Sequence, residues 1–231
     1  MEQLFYPAGS LARPGYNIDV DPERAGWAYC GLKVLDLAAT AGTELATGTA
    51  EVAIVPLSGR CVVETEGKRF DVDGRDDVFS GVAGFAYVPI DSEFKITSPT
   101  GGEFAVCAAE ATRRIDPYVV PAKAVAVEVR GAATASRQIN NFLSAAFWEA
   151  DKLIAVEVIT PEGGWSSYPA HKHDEMSETE VELEEIYYFR VAGEHGAGFF
   201  TCYTMDGEIE KTVTVHDGDT FLVPRGFHGP A

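Results

Sequence analysis

The chain has 231 residues, with 36 acidic and 18 basic side chains, and its formal net charge is −18. This balance argues against nucleic acid and anionic membranes as partners, because no basic patch offsets the negative field. At 46% hydrophobic and 23% charged residues, the composition is that of a folded chain with a buried core. The length fits one large domain or two small ones.

The N-terminus and the cysteines predict the cellular compartment. Residues 1–10 have neither the basic start nor the apolar stretch of a signal peptide, and no run of about 18 apolar residues follows. The cysteines are irregularly spaced and form no C-x-x-C pair: Cys30, Cys61, Cys107 and Cys202. We therefore expect reduced thiols in a cytoplasmic protein without a membrane span.

Short β-prone runs, separated by turn residues, recur along the chain. In chain order they are Glu51–Leu57, Cys61–Glu64, Phe85–Ile90, Phe104–Ala108, Leu153–Ile159, Ile186–Val191, Phe199–Tyr203, Thr212–Val215 and Thr220–Val223. Many short strands at this spacing predict an antiparallel β-sandwich or barrel. Between the two groups of strands, Ala132–Ala146 is predicted to form a short helix with Ser136 as its N-cap.

The two halves of the chain resemble each other. The strand that opens at Glu51 matches the strand that opens at Glu185, since each glutamate lies eight positions before a glycine. The Val-Pro pairs at Val88 and Val223 match at nearly the same offset as the two glutamates. This pattern predicts an internal duplication. The predicted divisions are an N-terminal domain (1–120), a linker (121–150) and a C-terminal domain (151–231).

All five histidines lie in the last third of the chain. His171 and His173 form an H-x-H pair, whose side chains share one face of a strand. Glu184 and Glu185 then open an apolar strand, and His228 ends a Pro-x(3)-His motif. Because strand residues alternate between faces, only one of the two glutamates can point inward, and Glu185, which directly precedes the apolar residues, is favoured.

This spacing resembles the two-part cupin signature, in which three histidines and one glutamate bind a divalent ion. The predicted metal ligands are therefore His171, His173, Glu185 and His228. The alternative is a pair of surface histidines and one structural histidine. His195 and His216 lie in turns and are expected to be exposed. The first half retains only Glu51 of this set, so we expect it to serve as a scaffold without a metal.

Longer motifs resemble those of a particular family, the 5-deoxy-glucuronate isomerases of inositol catabolism, which are bicupins. The motifs are Gly26–Gly31, Gly74–Phe79, Ala150–Val158, Thr160–Asp174, Leu183–Arg190, Cys202–Asp206 and Gly218–His228. The resemblance implies an all-β fold of two antiparallel jelly-roll β-barrels. Two departures stand out. Thr201-Cys202 replaces the Gln-Arg of the family, and the chain stops three residues after His228, so the second barrel is expected to be incomplete at its C-terminus.

The resemblance also implies a reaction, an aldose–ketose isomerisation of 5-deoxy-glucuronate to 5-dehydro-2-deoxy-gluconate. It implies one divalent ion, with zinc favoured from the relatives and manganese, iron or nickel also compatible with this ligand set. The expected partner is a small sugar acid, and the expected assembly is a homo-oligomer. Proposed proton-transfer residues are Glu184, Tyr187 and Tyr203. Proposed partners of the substrate carboxylate are Lys172, Arg190 and Arg225, each of which has a surface ion pair as its alternative role.

Two other functions are compatible with the sequence. The same ligands around iron would suit a cupin dioxygenase, which oxygen consumption would reveal. A non-catalytic sugar-binding cupin is the second alternative, since the segment after His228 is short. The acidic run 174–185 is interpreted as a solvated loop, with a lid beside the metal as its alternative.

Overall fold

The computed structural model describes residues 3–231 and is built almost wholly of β-strands. The first half contains β1 (Phe5–Tyr6), β2 (Tyr16–Val20), β3 (Cys30–Leu37), β4 (Gly42–Ala46), β5 (Ala50–Pro56), β6 (Gly59–Thr65), β7 (Lys68–Arg75), β8 (Phe85–Val88), β9 (Glu93–Thr97), β10 (Gly102–Glu110) and β11 (Tyr118–Val120). The second half contains β12 (Ala126–Arg130), β13 (Arg137–Leu143), β14 (Ala155–Ile159), β15 (Glu185–Tyr188), β16 (Gly198–Tyr203), β17 (Glu210–Val215), β18 (Thr220–Val223) and β19 (Phe227–His228). The helical elements are α1 (Pro22–Ala25) and two 3-10 turns, Ala122–Ala124 and Ala133–Ala135.

Two antiparallel sheets make up most of the first half. Their strand orders are β11-β8-β5-β10-β3-β2 and β4-β9-β6-β7. Apolar side chains from both sheets form a common core, which includes Leu35, Ile54, Val63, Ile96 and Phe104. Alternate residues of β5, such as Ala53 and Val55, belong to a second core that continues into the other half. Because β5 is buried on both faces, its residues 52–56 form a continuous apolar run instead of an alternating one.

The second half consists of smaller sheets. Their orders are β12-β13-β14, β17-β16-β19 and β1-β18-β15. The last sheet includes the N-terminal strand, since Phe5 pairs with Phe221. Phe200, Phe221 and Val223 are fully buried in a small core between these strands. No sheet within residues 3–231 closes into a barrel.

Charged groups connect the two halves. Arg75 of β7 forms an ion pair with Glu157 of β14 at 2.6 Å, and its side chain is only 2% exposed. Glu51 and Glu184 each accept hydrogen bonds from backbone amides of the other half. The first half therefore holds the loops and strands of the second half in place.

The all-β prediction is confirmed, and each of the nine predicted runs overlaps a strand. The predicted helix over Ala132–Ala146 is wrong, since Arg137–Leu143 is strand β13 and Ser136 only follows a 3-10 turn. Strand β13 pairs with its neighbours in the chain, β12 on one side and β14 on the other, and these strands satisfy its backbone groups. No helix within residues 3–231 is long and apolar enough to cross a bilayer.

Candidate metal centre

Backbone pairing brings the histidine-bearing segments together. The amide of His228 donates to the carbonyl of His171 at 2.9 Å, and the amide of His171 donates back at 3.3 Å. On its other side, His228 pairs with Cys202 of β16. Ser166 and Ala231 extend the pairing between the segments of His171 and His228, since each donates its amide to the carbonyl of the other. The last residues of the chain are thus bound to the segment that carries the H-x-H pair.

Three imidazoles and one carboxylate converge at this point. The potential ligand atoms of His171, His173 and His228 all lie within 4.8 Å of one another. Glu185, the first residue of β15, places its Oε2 3.1 Å from Nε2 of His173 and 3.0 Å from Nε2 of His228. The structure therefore gathers all four predicted ligands into one cluster.

Two of the imidazoles are oriented by backbone carbonyls. Nδ1 of His173 lies 3.0 Å from the carbonyl oxygen of Leu183, and Nδ1 of His228 lies 3.1 Å from that of Gly226. A carbonyl oxygen only accepts hydrogen bonds, so Nδ1 carries the proton in both rings. Nε2 of each ring then faces the cluster, and once deprotonated it presents the lone pair that a metal-binding histidine uses.

The charges of the cluster perturb one another. Burial by itself would raise the pKa of Glu185, but its contacts with His173 and His228 lower that pKa to about 2. Burial opposes the charged form of His173, yet the hydrogen bond to Glu185 raises its pKa above the ordinary value. Partial desolvation of its ring and the nearby His228 lower the pKa of His171. The carboxylate is therefore ionised and ready to act as a ligand.

The cluster fits a divalent metal ion. Nε2 of His228 is buried and has no hydrogen-bond partner of acceptable geometry within residues 3–231, although Glu185 lies close to it. A buried polar atom without a partner is costly unless another group satisfies it. Three nitrogen donors and one oxygen donor suit zinc and other first-row divalent ions. His171 is exposed and the Glu185 side chain is 33% exposed, so the cluster is open on one side.

Tyr187 lies beside the cluster. It follows Glu185 by two residues on β15, so the two side chains share a face. The ring of Tyr187 is centred 6.0 Å from that of His228, and its hydroxyl is 3.4 Å from Oγ of Ser167. Burial raises the pKa of Tyr187 well above its ordinary value, so the hydroxyl stays protonated.

Glu184 and Tyr203 lie away from the histidine cluster. The Glu184 carboxylate accepts hydrogen bonds from the backbone amides of Ala28, Tyr29 and Cys30, at 2.7 to 3.0 Å. Tyr203 stacks on Phe227 with ring centres 5.4 Å apart. These two aromatic residues pair next to Cys202 and His228, so their side chains occupy the opposite face of the sheet. The structure does not bring Glu184 or Tyr203 to the metal ligands.

The three predicted carboxylate-binding cations are engaged in ion pairs. Lys172 pairs with Glu180 at 2.7 Å, and Arg190 pairs with Glu103 and Asp217, both at 2.8 Å. These geometries correspond to the surface ion pair that was the alternative role of each residue.

Arg225 makes the same kind of contact. It pairs with Asp206 at 3.0 Å and with Glu208 at 2.5 Å. An Arg held by two carboxylates has few N–H groups left for a ligand.

Ser167 is a residue that the sequence argument overlooked. Its φ of 48° is unusual for a residue other than glycine, and it packs against Gly229, where any Cβ would clash with the Ser167 carbonyl oxygen. Strained residues of this kind concentrate at functional sites. The signal was present in the run Trp-Ser-Ser-Tyr-Pro just before His171, but a serine alone does not indicate such a role.

Comparisons with known proteins identify the family of the chain. The KduI/IolB family profile matches residues 4–231. The 5-deoxy-glucuronate isomerase of Geobacillus kaustophilus is 38% identical over 231 residues, covering 99% of this chain and 83% of the relative. The enzyme of the same name from Bacillus subtilis strain 168 is 32% identical over 213 residues, covering 91% and 79% of the two chains.

Solved structures support the family assignment and the fold. An IolB-like protein from Salmonella typhimurium LT2 superimposes with a TM-score of 0.91 at 32% identity, covering 98% of this chain and 86% of that one. The oxalate decarboxylase of Lactobacillus farciminis, at 13% identity and a TM-score of 0.68, covers 99% of this chain and 81% of that one, and shares the fold alone. The profile match over nearly every residue, together with the identities to the two isomerases, establishes that the chain belongs to the KduI/IolB family.

Proposed function

We propose that the protein is a metal-dependent aldose–ketose isomerase, which converts 5-deoxy-glucuronate to 5-dehydro-2-deoxy-gluconate in inositol catabolism. Family membership and the names of the relatives support the reaction. The observation that carries the proposal is the convergence of three imidazoles and one carboxylate at a point open to solvent. A metal held there would be accessible to a small sugar acid.

The proposed ligands of one divalent ion are His171, His173, Glu185 and His228, with zinc favoured over manganese, iron or nickel. A bound ion would polarise the substrate oxygens and stabilise the negative charge of an enediol. The carbonyls of Leu183 and Gly226 hold two of the imidazoles in the tautomer that ligation needs.

Tyr187 is the residue we propose to exchange a proton with a substrate oxygen. Of the three residues predicted for this role, it alone lies beside the ligands, and its neutral hydroxyl is a hydrogen-bond donor. Ser167 holds the hydroxyl from the other side. General acid–base residues must be within hydrogen-bond reach of the reacting group, which this position allows.

We also propose that the chain consists of two cupin units related by duplication, the second of them incompletely closed. The pairing of β5 with β8 and of β15 with β18 supports this. The first pairing sets Ala53 opposite Tyr87, and the second sets Tyr187 opposite Phe221. Tyr187 follows Ala53 by the same number of positions as Phe221 follows Tyr87, as a duplication would require. The sheets of the second half have three strands each.

We also expect the enzyme to be a cytoplasmic homo-oligomer. Strand β12 lies at the edge of its sheet and exposes Val127 and Val129, the latter 76% exposed. Edge strands with apolar side chains are prone to pair with another copy. Light scattering on the purified protein measures the assembly, and a monomer at micromolar concentration would contradict this expectation.

The reaction can be tested directly. Purified protein loaded with zinc, manganese, iron or nickel is incubated with 5-deoxy-glucuronate, and ketose formation is followed by NMR. We expect conversion by the wild type and by His195→Ala and His216→Ala, which change histidines outside the cluster, but not by His173→Ala. Absence of ketose with every metal contradicts the isomerase. Oxygen uptake would favour a dioxygenase, and binding without turnover would favour a sugar-binding protein.

Metal content provides an independent test. The protein as purified should contain about one equivalent of a divalent ion, since a preformed cluster of this kind binds metal tightly. Less than about a tenth of an equivalent, both as purified and after exposure to each ion, would contradict the metal site.

A further inference from the structure

The turn that precedes His228 supplies the carbonyl that orients its imidazole. Residues 224–226 connect β18 to β19, and the carbonyl oxygen of Gly226 lies 3.1 Å from Nδ1 of His228. Gly226 has a φ of 97°, which favours glycine, and a Cβ there would lie 2.7 Å from the carbonyl oxygen of Tyr203. Within residues 3–231 no strand pairs with this turn, so other contacts must hold the Gly226 carbonyl in place.

Asp174 provides such a contact from the segment that carries the H-x-H pair. Its Oδ1 accepts a hydrogen bond from the amide of Gly226 at 2.7 Å, although the two residues are 52 positions apart in the sequence. At the other end of the same peptide group, the carbonyl oxygen of Arg225 accepts from Sγ of Cys202 at 3.7 Å. The peptide group between Arg225 and Gly226 is therefore held at both ends.

The Asp174 carboxylate is free to make this contact. Asp174 is half-buried, and among the described residues Gly226 is the one hydrogen-bond partner of its side chain. The neighbouring cation Lys172 pairs with Glu180 instead, and the same Glu180 accepts from the amide of Asp174 at 2.5 Å. Glu180 thus fixes the backbone of Asp174, while the carboxylate of Asp174 remains an acceptor for Gly226.

The Asp174 contact is the second of two ties between the segments that carry the histidines. The first is the backbone pairing in which the amide of His228 donates to the carbonyl of His171 at 2.9 Å. The hydrogen bond from Gly226 to Asp174 lies on the other side of His173 in the sequence. The two ties flank His173, so they fix the H-x-H pair relative to the turn that orients His228.

We propose that Asp174 is a positioning residue for the His228 imidazole. It holds Gly226, whose carbonyl accepts the Nδ1 proton of His228 and so directs Nε2 towards the cluster. The proposal rests on the proposed metal-dependent function, because a metal ion is the ligand that the positioned imidazole would bind. Asp174 acts through Gly226 alone, and groups that orient a ligating histidine in this way contribute about 10- to 100-fold to metal affinity.

The test compares Asp174→Ala and Asp174→Asn with Asp77→Ala. Asp77 is an exposed residue of the first half whose Oδ1 accepts from the amide of Phe79 at 2.7 Å, so its replacement removes the same kind of hydrogen bond outside the cluster. In a competition titration with a chromophoric chelator, Asp174→Ala should bind zinc about 10- to 100-fold more weakly than wild type. Asp174→Asn retains an acceptor oxygen and should lie closer to wild type than to Asp174→Ala, whereas Asp77→Ala should match wild type.

Melting temperatures separate positioning from general damage. In metal-free protein, Asp174→Ala should melt within about 5 °C of Asp77→Ala, and a larger drop would indicate a general structural role and overturn the proposal. A zinc affinity of Asp174→Ala within about threefold of wild type would also overturn it. Equal losses in Asp174→Ala and Asp174→Asn would do the same, since the acceptor oxygen would then not be the cause.

Proton NMR of the metal-free protein gives a readout that needs neither zinc nor turnover. In wild type, the Nδ1 proton of His228 should give a resonance protected from exchange with water, assigned by its absence in His228→Gln. Asp174→Ala should speed this exchange at least about tenfold, and Asp174→Asn should restore most of the protection. Unchanged protection in Asp174→Ala would overturn the proposal. If protection is lost as expected but wild type binds no zinc, Asp174 positions His228 and the proposed metal-dependent function fails.

Discussion

Glu51 lies near the start of β5 and Glu185 begins β15, but the two carboxylates have opposite surroundings. Glu51 is fully buried and accepts hydrogen bonds from the hydroxyl of Tyr87 at 2.6 Å and from backbone amides of residues 151–153. Glu185 is one-third exposed and contacts His173 and His228. The Glu51 carboxylate therefore joins the two halves, whereas the Glu185 carboxylate belongs to the histidine cluster.

The junction between the halves is reciprocal. Glu51 of the first half is bound by amides of the second, and Glu184 of the second half is bound by amides of the first. The adjacent glutamates of the second half therefore have different partners, since Glu184 faces the junction and Glu185 faces the imidazoles. In the first half Glu51 serves only the junction, because no histidine precedes His171 in the sequence.

We expect the largest effect from Glu185→Gln. It removes the ionised ligand while it keeps the size of the side chain. Changes to groups that merely orient a ligand cost 10- to 100-fold in metal affinity, so loss of the ligand itself should cost more than about 100-fold. Activity should fall to background. Metal titration and turnover check this, and an unchanged metal affinity would remove Glu185 from the site.

Tyr187→Phe should come next in size. We expect kcat to fall by about 100-fold or more, the range typical of a lost general acid or base, with metal content retained. Tyr188→Phe is the matched control, because Tyr188 lies on the opposite face of β15. A kcat within threefold of wild type for Tyr187→Phe would show that another group exchanges the proton.

Glu51→Gln tests the contribution of the buried carboxylate of the first half to the junction. The Gln amide would set N–H groups against the N–H and O–H donors that now surround the carboxylate, and we expect a loss of about 3 kcal/mol in the free energy of unfolding. For a chain of this size the melting temperature should fall by roughly 6–12 °C. Metal affinity should stay within a few-fold of wild type.

Glu44→Gln is the control for Glu51→Gln, since the side chain of Glu44 is 80% exposed. We expect it to change the melting temperature by no more than about 2 °C. If Glu51→Gln melted like Glu44→Gln, the contribution of the Glu51 carboxylate to the junction would be refuted.

The sequence was most informative where the determinants were local. Strand alternation allows only one of Glu184 and Glu185 to point inward, and Glu185 was favoured because it directly precedes the apolar residues. The two side chains do face different ways. Strand β13 was missed because its sequence lacks a clear alternation of polar and apolar residues, and its backbone groups are satisfied by pairing with β12 and β14.

The ion pairs of the predicted substrate-binding cations and the orientation of Tyr203 could not be derived from the sequence. Arg190 forms an ion pair with Glu103, which is far away in the sequence, and Tyr203 faces away from the site because β16 pairs with β19. Contacts between residues so distant in the sequence leave no periodic pattern in it.

The smallest expected effect is that of Glu184→Gln, which tests the reciprocal half of the junction. Glu184 is half-buried and accepts three amide hydrogen bonds, so we expect a loss of about 1–2 kcal/mol in the free energy of unfolding. Its kcat should remain within about threefold of wild type, whereas loss of a catalytic base would lower kcat by about 100-fold or more. Thermal melting and steady-state kinetics on the same sample decide between these roles. A stable but inactive variant would return Glu184 to the active site, whereas an active but less stable one assigns it to the junction, as the counterpart of Glu51.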